Sequence, residues 1–310
     1  MSSSVLDPPP DEVLRAVLAG RPVRIVAATT TFAAREAARR HTAGPAATLA
    51  LARGITAGLL LATLTKDDER VTLQVLGDGP LGGLTVDATA AGGVRAYVKH
   101  PDVTVPLAAA GRVPLGPVMG RTGLVSVLRD LGLGQPFRGS TEIRSGEIDE
   151  DVERYLEESE QVTSALACDA VASGGGGLAF AAGILVQALP GSDGADAVAE
   201  ARALIDGGAL ASLLGAGPRD AAGLLVAALG DRLGQIEVLD RRPVRFECAC
   251  SRARAGASLA SLGQTELAAM ILEDGKAEVT CNFCRERYEF DEAELETIRR
   301  ETGKPTGPPS

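Results

Sequence analysis

The chain has no tryptophan, and only 6 Phe and 3 Tyr among its 310 residues. Large aromatic anchors are therefore scarce, and the core must be built mostly from Ala, Val, Leu and Ile. Histidine is scarce too: His41 and His100 are the only two. Positive charge is in deficit, with 31 Lys and Arg against 41 Asp and Glu and a net charge of -10. No net positive field exists to attract phosphate backbones or anionic lipid, which argues against nucleic-acid and membrane-surface partners. The opening MSSSVLDPPPDEV has no basic start followed by an apolar run, so no signal peptide is visible. Long hydrophobic runs are missing as well. The most apolar segment, Gly54–Thr65, is flanked by Arg53 and Lys66, and its dozen or so residues fall short of the roughly 20 that a spanning helix needs. It reads as part of a buried central helix beginning near Pro45, a residue tolerated in a first turn.

What is present is 45% hydrophobic residues, 37 glycines and 5 cysteines. Residues 1–20 read as a Pro-rich leader and a short helix, Pro22–Thr31 as a strand, and Phe32–His41 as a helix. Val71–Leu76, Gly83–Ala88 and Gly93–Val98 read as an antiparallel meander. Gly146–Gln161 reads as a helix with Ile148, Val152, Tyr155 and Leu156 on one face. Leu178–Leu189 reads as a buried strand. After Pro190 the composition changes. Residues 191–247 contain nine glycines among many Ala and Leu, and Ala201–Leu214 and Ala221–Leu233 have helical periodicity interrupted by glycine. Each such glycine costs roughly 1 kcal/mol relative to Ala, so these short helices depend on something to dock against.

The expected fold class is α+β. An N-terminal domain (1–190) combines antiparallel sheet with the buried central helix. A Gly-rich helical linker (191–247) follows, then a small C-terminal four-cysteine zinc-binding domain (248–300) and a disordered tail (301–310). In the small domain, helices are expected near Ala253–Ser261 and Thr265–Glu273, with Gly275 as a C-terminal stop. Ala277–Phe290 reads as a hairpin, and Asp291 with Glu294 as a capping box for a last helix.

Four of the five cysteines, Cys248, Cys250, Cys281 and Cys284, fall within 37 residues. Their spacing is C-x-C, 30 residues, C-x-x-C. Two close thiol pairs joined by a loop form the usual layout of a closed tetrahedral zinc site. In a chain without a visible export signal this points to metal or redox chemistry rather than a secreted disulfide framework. Phe246, Phe283, Tyr288 and Phe290 lie beside the cysteines and are expected to form the unit's small core. Arg252, Arg254, Arg285 and Arg287 either offset thiolate charge or are ordinary surface residues. Three readings compete. A nucleic-acid zinc ribbon is opposed by the net charge of -3 from Ser251 onward. A thiol-disulfide oxidoreductase using the C-x-x-C pair needs that pair to open a helix after a strand, yet here it lies between two strand-like runs. A redox switch is the third. Four cysteines allow three disulfide pairings; cross-pairing would keep the halves tied, whereas local pairing closes only tiny loops and constrains little.

FECACSRARA…LGQTELAAMILEDGKAEVTCNFCRERYEF resembles the zinc-binding end of the redox-regulated heat-shock holdases, the thirty-three-kilodalton chaperonin family. GDGPLGGLTVDATAAGGVRAYVKHPDVTVPL, FRGSTEIRSGEIDEDVERYLEESEQVTSA and AAGILVQALP are similar to that family's N-terminal domain, in the same order. Ala52 and Ala96 depart from the family pattern, away from the cysteines. The resemblance implies a cytoplasmic, ATP-independent chaperone, not an enzyme, that binds unfolded client proteins. It implies one Zn²⁺ per chain on Cys248, Cys250, Cys281 and Cys284 in the reduced, inactive state. Oxidation would form Cys248–Cys250 and Cys281–Cys284, release zinc, unfold the zinc unit and linker, and yield a homodimer.

Other signals carry less. Gly77-Asp-Gly-Pro-Leu-Gly82 matches a dinucleotide fingerprint, but Pro80 removes a donor and a strand follows, so a hairpin turn is expected. Gly174–Gly177 lacks the ending of a P-loop and reads as a flexible loop. Glu147, Asp149, Glu150, Asp151 and Glu153 read as acidic residues of a first helical turn. Cys168 reads as a buried small residue without a redox role.

Overall fold

The computed structural model describes residues 8–66, 69–104, 112–130, 136–173, 176–189, 194–206 and 209–302. The start of the leader, the first half of the glycine run at 174–177, Gly207, Gly208 and the last eight residues of the tail lie outside them. By chain contacts the protein divides into two compact units, Met1–Glu247 and Cys248–Ser310.

The first unit opens on a strand, β1 (Glu12–Leu18), where the sequence predicts a short helix. EVLRAVL is too short for periodicity to separate the two states. Pairing decides: β1 is hydrogen-bonded on one side to β2 (Val23–Thr29) and on the other to a strand more than 200 residues away. Helix α1 (Thr31–His41) ends at Thr42 in the left-handed region, and α2 (Pro45–Ala62) starts with proline in its first turn. Then come β3 (Arg70–Gly77), β4 (Leu84–Thr89), β5 (Gly93–Val98), the short α3 (Gly116–Met119), β6 (Gly123–Asp130) and β7 (Phe137–Glu142). The expected meander is there, extended by β6 and β7 into a six-stranded sheet that β11 (Arg245–Phe246) completes beside β5. Helix α4 (Ile148–Glu158) buries Ile148, Val152, Tyr155 and Leu156, the predicted face. Strands β8 (Ser164–Ala172) and β9 (Leu178–Ala188) join β1, β2 and β10 (Ile236–Pro243) in a five-stranded sheet of order β10-β1-β2-β9-β8.

Helix α2 fills the space between the two sheets. Every residue from Ala46 to Ala62 is buried, and the helix contacts β3, β4 and β5 of one sheet and β2, β8 and β9 of the other. Length and composition would allow α2 to cross a membrane, but its most apolar window is 94% buried inside the protein, as a core helix is. Two glycines allow the close approach. A Cβ on Gly54 would come within 2.2 Å of Leu84 Cδ2, and one on Gly58 within 2.7 Å of Val86 Cγ1.

The Gly-rich segment forms α5 (Ala195–Ile205), α6 (Ala209–Gly215) and α7 (Ala221–Ala228) and then β10. Its helices do dock: Ala197, Val198, Ala201, Leu210, Leu224 and Leu225 pack on Leu14, Ile25, Ala27, Ile184 and Val186, on the sheet face turned away from α2. Polar contacts supplement this packing. Arg202 donates to the Ser164 carbonyl at 2.6 Å and pairs with Glu153 at 2.7 Å. Glu12 accepts the Ala221 N–H at 3.0 Å. Asp220 caps α7 by accepting from Gly223 N–H. Strand β10 has no signal in the sequence because its pattern, IEVLDRRP, is that of an exposed edge strand.

The turn after β3 is the hairpin that the Gly-Asp-Gly-Pro run predicts, with β4 following directly. The acidic run at the start of α4 does more than complement a helix dipole. Arg53, expected at the flank of an apolar run, lies inside α2 at 1% exposure and pairs with Asp149 at 2.7 Å and Glu147 at 2.8 Å. Arg112 pairs with the same Asp149 at 2.6 Å, and the Cys168 N–H donates to its other oxygen at 3.3 Å. Burial pushes the Asp149 carboxyl up, but the two guanidinium groups outweigh it and hold the carboxyl below its ordinary value. Asp151 accepts from the backbone N–H groups of Arg144, Ser145 and Gly146.

Candidate metal centre

The second unit is built on little apolar surface. Helices α8 (Arg252–Ala260) and α9 (Gln264–Glu273), the hairpin β12 (Lys276–Thr280) and β13 (Arg287–Asp291), and α10 (Glu292–Thr302) follow one another. Gly275 closes α9 with φ +63, and its N–H donates to the Met270 carbonyl. Asp291 and Glu294 form the reciprocal capping box: Glu294 N–H donates to Asp291 Oδ1 at 2.9 Å, and Asp291 N–H donates to Glu294 Oε2 at 3.1 Å. The buried core consists of Ala255, Leu259, Leu267, Ala277, Phe290 and Leu295, with Tyr288 partly buried against it. The expectation of a four-aromatic core is corrected here. Phe246 lies on β11, packs on the core of the first unit, and lies under Arg40 at 5.0 Å. Phe283, half-buried, is not part of that core either, and Leu259, Leu267 and Leu295 from three helices supply its apolar bulk.

The four cysteines are placed by two tight loops. Cys248 and Cys250 sit just before α8, whose N-cap Ser251 accepts from the Arg254 N–H at 3.3 Å. Arg254 in turn donates to the Ala249 carbonyl at 2.7 Å and so braces the C-x-C turn. Cys281 and Cys284 sit between β12 and β13. Cys281 N–H donates to the Glu286 carbonyl, Arg285 N–H donates to the Cys281 carbonyl, and Arg285 takes a left-handed φ of +62 to complete the loop. Arg252 pairs with Glu294 and stacks 4.6 Å over Phe290, and Arg287 pairs with Glu278. These arginines therefore hold loops and helices together, beside whatever they contribute to the charge balance of the sulfurs.

All four Sγ atoms lie within 4.8 Å of one another. Cys248 Sγ is 3.7 Å from Cys281 Sγ, and Cys250 Sγ is 3.2 Å from Cys284 Sγ. Four sulfurs at about 2.3 Å from one tetrahedral ion would stand roughly 3.8 Å apart, whereas a disulfide brings two to about 2.05 Å. All are free thiols in this arrangement. Burial pushes the Cys284 thiol well up, against the Glu286 N–H that lowers it. Burial likewise raises the Cys250 thiol, opposed by the Tyr288 hydroxyl. Four thiolates so close would repel one another, so the cluster holds either protons or a cation that displaces them. The donor set and spacing fit a closed four-thiolate metal site with no open position.

Comparison with known proteins gives the family. The family model described as Hsp33 protein matches residues 11–291. The chain belongs to the Hsp33 family. Its relatives include the 33 kDa chaperonin of Gloeobacter violaceus, 42% identical over 299 residues covering 93% of this chain and 95% of that protein. The 33 kDa chaperonin of Bacillus subtilis is 37% identical over 294 residues, 94% of this chain and 99% of that protein. Among solved structures, the 33 kDa chaperonin of Thermotoga maritima superposes with a TM-score of 0.82 at 29% identity, covering 94% of this chain and 98% of that one. An Hsp33-family chaperone with an α+β fold and a four-cysteine cluster able to hold a metal is thus established. The structure brings together all four cysteines that the sequence singles out. Cys168 stands apart, fully buried in β8, its thiol pushed well above its ordinary value by burial. The residue that cysteine spacing misses is Tyr288. Its ring packs against the small core, as expected of an aromatic there, but its hydroxyl also donates to Cys250 Sγ at 3.2 Å, a contact with no signature in sequence.

Proposed function

We propose that the protein is a redox-regulated, ATP-independent holdase of the cytoplasm that keeps unfolding client proteins from aggregating under oxidative and thermal stress. The reading rests on one observation: four thiols gathered within 4.8 Å hold together a unit whose own core is six buried side chains. In the reduced state Cys248, Cys250, Cys281 and Cys284 hold one Zn²⁺, and the chaperone is inactive. Zinc supplies a structural cross-link worth roughly 10–16 kcal/mol in small zinc peptides. Peroxide then oxidises the pairs Cys248–Cys250 and Cys281–Cys284. For each pair, two thiolates give two electrons to one peroxide; an S–S bond forms, the O–O bond breaks, and two protons complete two waters. The sulfurs give up the metal. The new bonds close only local loops and do not tie the first pair to the second, so the unit loses its main constraint. The segment 191–247, with helices α5–α7 followed by β10 and β11, carries regulation, exposing client-binding surface as its docking is lost. The oxidised chain forms a homodimer, and neither nucleic acid nor membrane is a partner.

Holdase action is stoichiometric, without catalytic turnover. A thiol-disulfide oxidoreductase would need its C-x-x-C at the start of a helix, where the N-terminal dipole lowers the thiol pKa; Cys281 and Cys284 lie between two strands, in a setting that raises the Cys284 thiol. To test the reading, reduced protein is treated with peroxide at elevated temperature. Zinc release is followed with a chelating dye, and light scattering of an aggregating client is measured. Release of about one zinc per chain together with suppressed scattering is expected. Retained zinc, or release without suppression, refutes the proposal.

A further inference from the structure

A side-chain hydrogen bond that does not pass through the metal runs from the second half of the metal centre to a sulfur of the first. Tyr288 lies on β13, in register with Val279 of β12, on the hairpin that carries Cys281 and Cys284. Its hydroxyl reaches Cys250, of the other pair and 38 positions earlier in the chain, at 3.2 Å. Cys284 is met differently, by the backbone N–H of Glu286. That donor belongs to the loop itself and survives substitution by any residue but proline. The phenol is a side-chain donor, and removing one oxygen removes it.

We infer that Tyr288 is a positioning residue of the metal centre: its hydroxyl holds Cys250 Sγ at the ligand position and damps the sulfur's electron-donating power. The inference deepens the metal-holding reading above and rests on it. Three physical points support it. First, a sulfur held from the second half of the unit costs less ordering when the ion binds. Second, a donor to a ligand sulfur withdraws charge from it, so that sulfur is a poorer nucleophile and the metal–sulfur bond is retained more firmly against attack. Third, the ring is anchored against the small core of Phe290, Leu259 and Leu295, which fixes the hydroxyl on a rigid strand. Loss of a supporting hydrogen bond of this kind typically lowers metal affinity about 10–100-fold.

The test compares full-length protein with the Tyr288→Phe variant, which keeps the ring and loses the hydroxyl. Zinc affinity is measured by equilibrium competition with a chromophoric chelator under reducing conditions. In parallel, both proteins are loaded with Co²⁺ and their sulfur-to-metal charge-transfer absorption is recorded. We expect zinc affinity to fall about 10–100-fold and the charge-transfer bands of the variant to move to lower energy, because an undamped thiolate gives up electron density more readily. Affinity within twofold of the parent overturns the inference. An affinity loss without a band shift also overturns it, since packing alone would then account for the change. If the parent protein itself binds neither ion, the metal-holding reading fails, and that outcome is distinct from the failure of the Tyr288 assignment.

Discussion

Removing the metal should unfold one unit and spare the other. Among its described residues the second unit buries only four large apolar side chains: Leu259, Leu267, Phe290 and Leu295. At ~1.5–3 kcal/mol each, their burial contributes about 6–12 kcal/mol before any ordering cost is subtracted. The Zn²⁺ proposed above would contribute roughly 10–16 kcal/mol by itself, so it would outweigh the core. The core also cannot substitute for it, because the C-x-C and C-x-x-C loops come together at their sulfurs rather than at that core. The first unit differs. It has two extensive clusters, one around α2 and one under α5–α7, and contains none of the four ligands. Hydrogen–deuterium exchange read by mass spectrometry separates the two. On adding a strong chelator under reducing conditions, amides of α8, α9 and α10 should move from protected to freely exchanging, while those of α2 and β9 stay protected. Re-adding zinc should restore the protection. Persistent protection of α8–α10 without metal would refute the claim that the metal is the unit's main source of stability. Simultaneous loss of protection in α2 would refute the independence of the first unit's core.

Three further outcomes follow from the geometry. Asp149→Ala leaves Arg53, at 1% exposure, buried without its main partner, and should lower unfolding free energy by about 3–5 kcal/mol, read from the urea midpoint at constant m-value. Glu153 has its carboxyl pushed up to about 7, first by burial, against the Leu166 N–H and Arg202, with Asp206 adding to the rise. The native state therefore binds this proton more tightly than the unfolded chain. The associated stability is present in full below the ordinary glutamate pKa of 4.5 and is lost as pH rises through about 7. Melting temperature should fall across that window in the parent, and Glu153→Gln should flatten the slope. Gly77→Ala would place a methyl 1.9 Å from the Met119 carbonyl oxygen, a backbone atom that cannot swing aside; a loss of about 1–3 kcal/mol is expected, and unchanged stability in chemical denaturation would contradict it.

The local elements of this protein were legible where one strong rule applied. Proline in a first turn ahead of a run rich in Ala, Leu and Gly marks α2. The Asp-Gly-Pro turn separates β3 from β4. Ile148, Val152, Tyr155 and Leu156 mark the buried face of α4, and Asp291 with Glu294 marks the start of α10. The metal centre was legible for a similar reason. Thiol pairs two and three positions apart can meet one ion only through tight turns, so their spacing carries the geometry with it. The resemblance to a known family added what spacing cannot supply, the switch chemistry proposed above.

Other features follow from contacts between distant parts of the chain, and no local pattern encodes them. EVLRAVL becomes a strand because β10, more than 200 residues later, pairs with its edge. β10 in turn is a strand because β1 offers it an unpaired edge, even though its own sequence alternates poorly. Arg53 reads as the polar end of an apolar run until the fold brings the carboxylates of Asp149 and Glu147 to it and makes burial of its charge tolerable. Phe246 counts as an aromatic beside the cysteines in the sequence, yet β11 lays it on the first unit's core. Tyr288 is the sharpest case. Its ring is where an aromatic-poor unit needs one, and sequence accounts for that much. Its hydroxyl meets a sulfur 38 positions away. The sequence determined which four cysteines cluster, because their paired spacing is a local property. Tertiary structure alone decided which groups surround those ligands, because those groups come from strands and helices that only folding brings together.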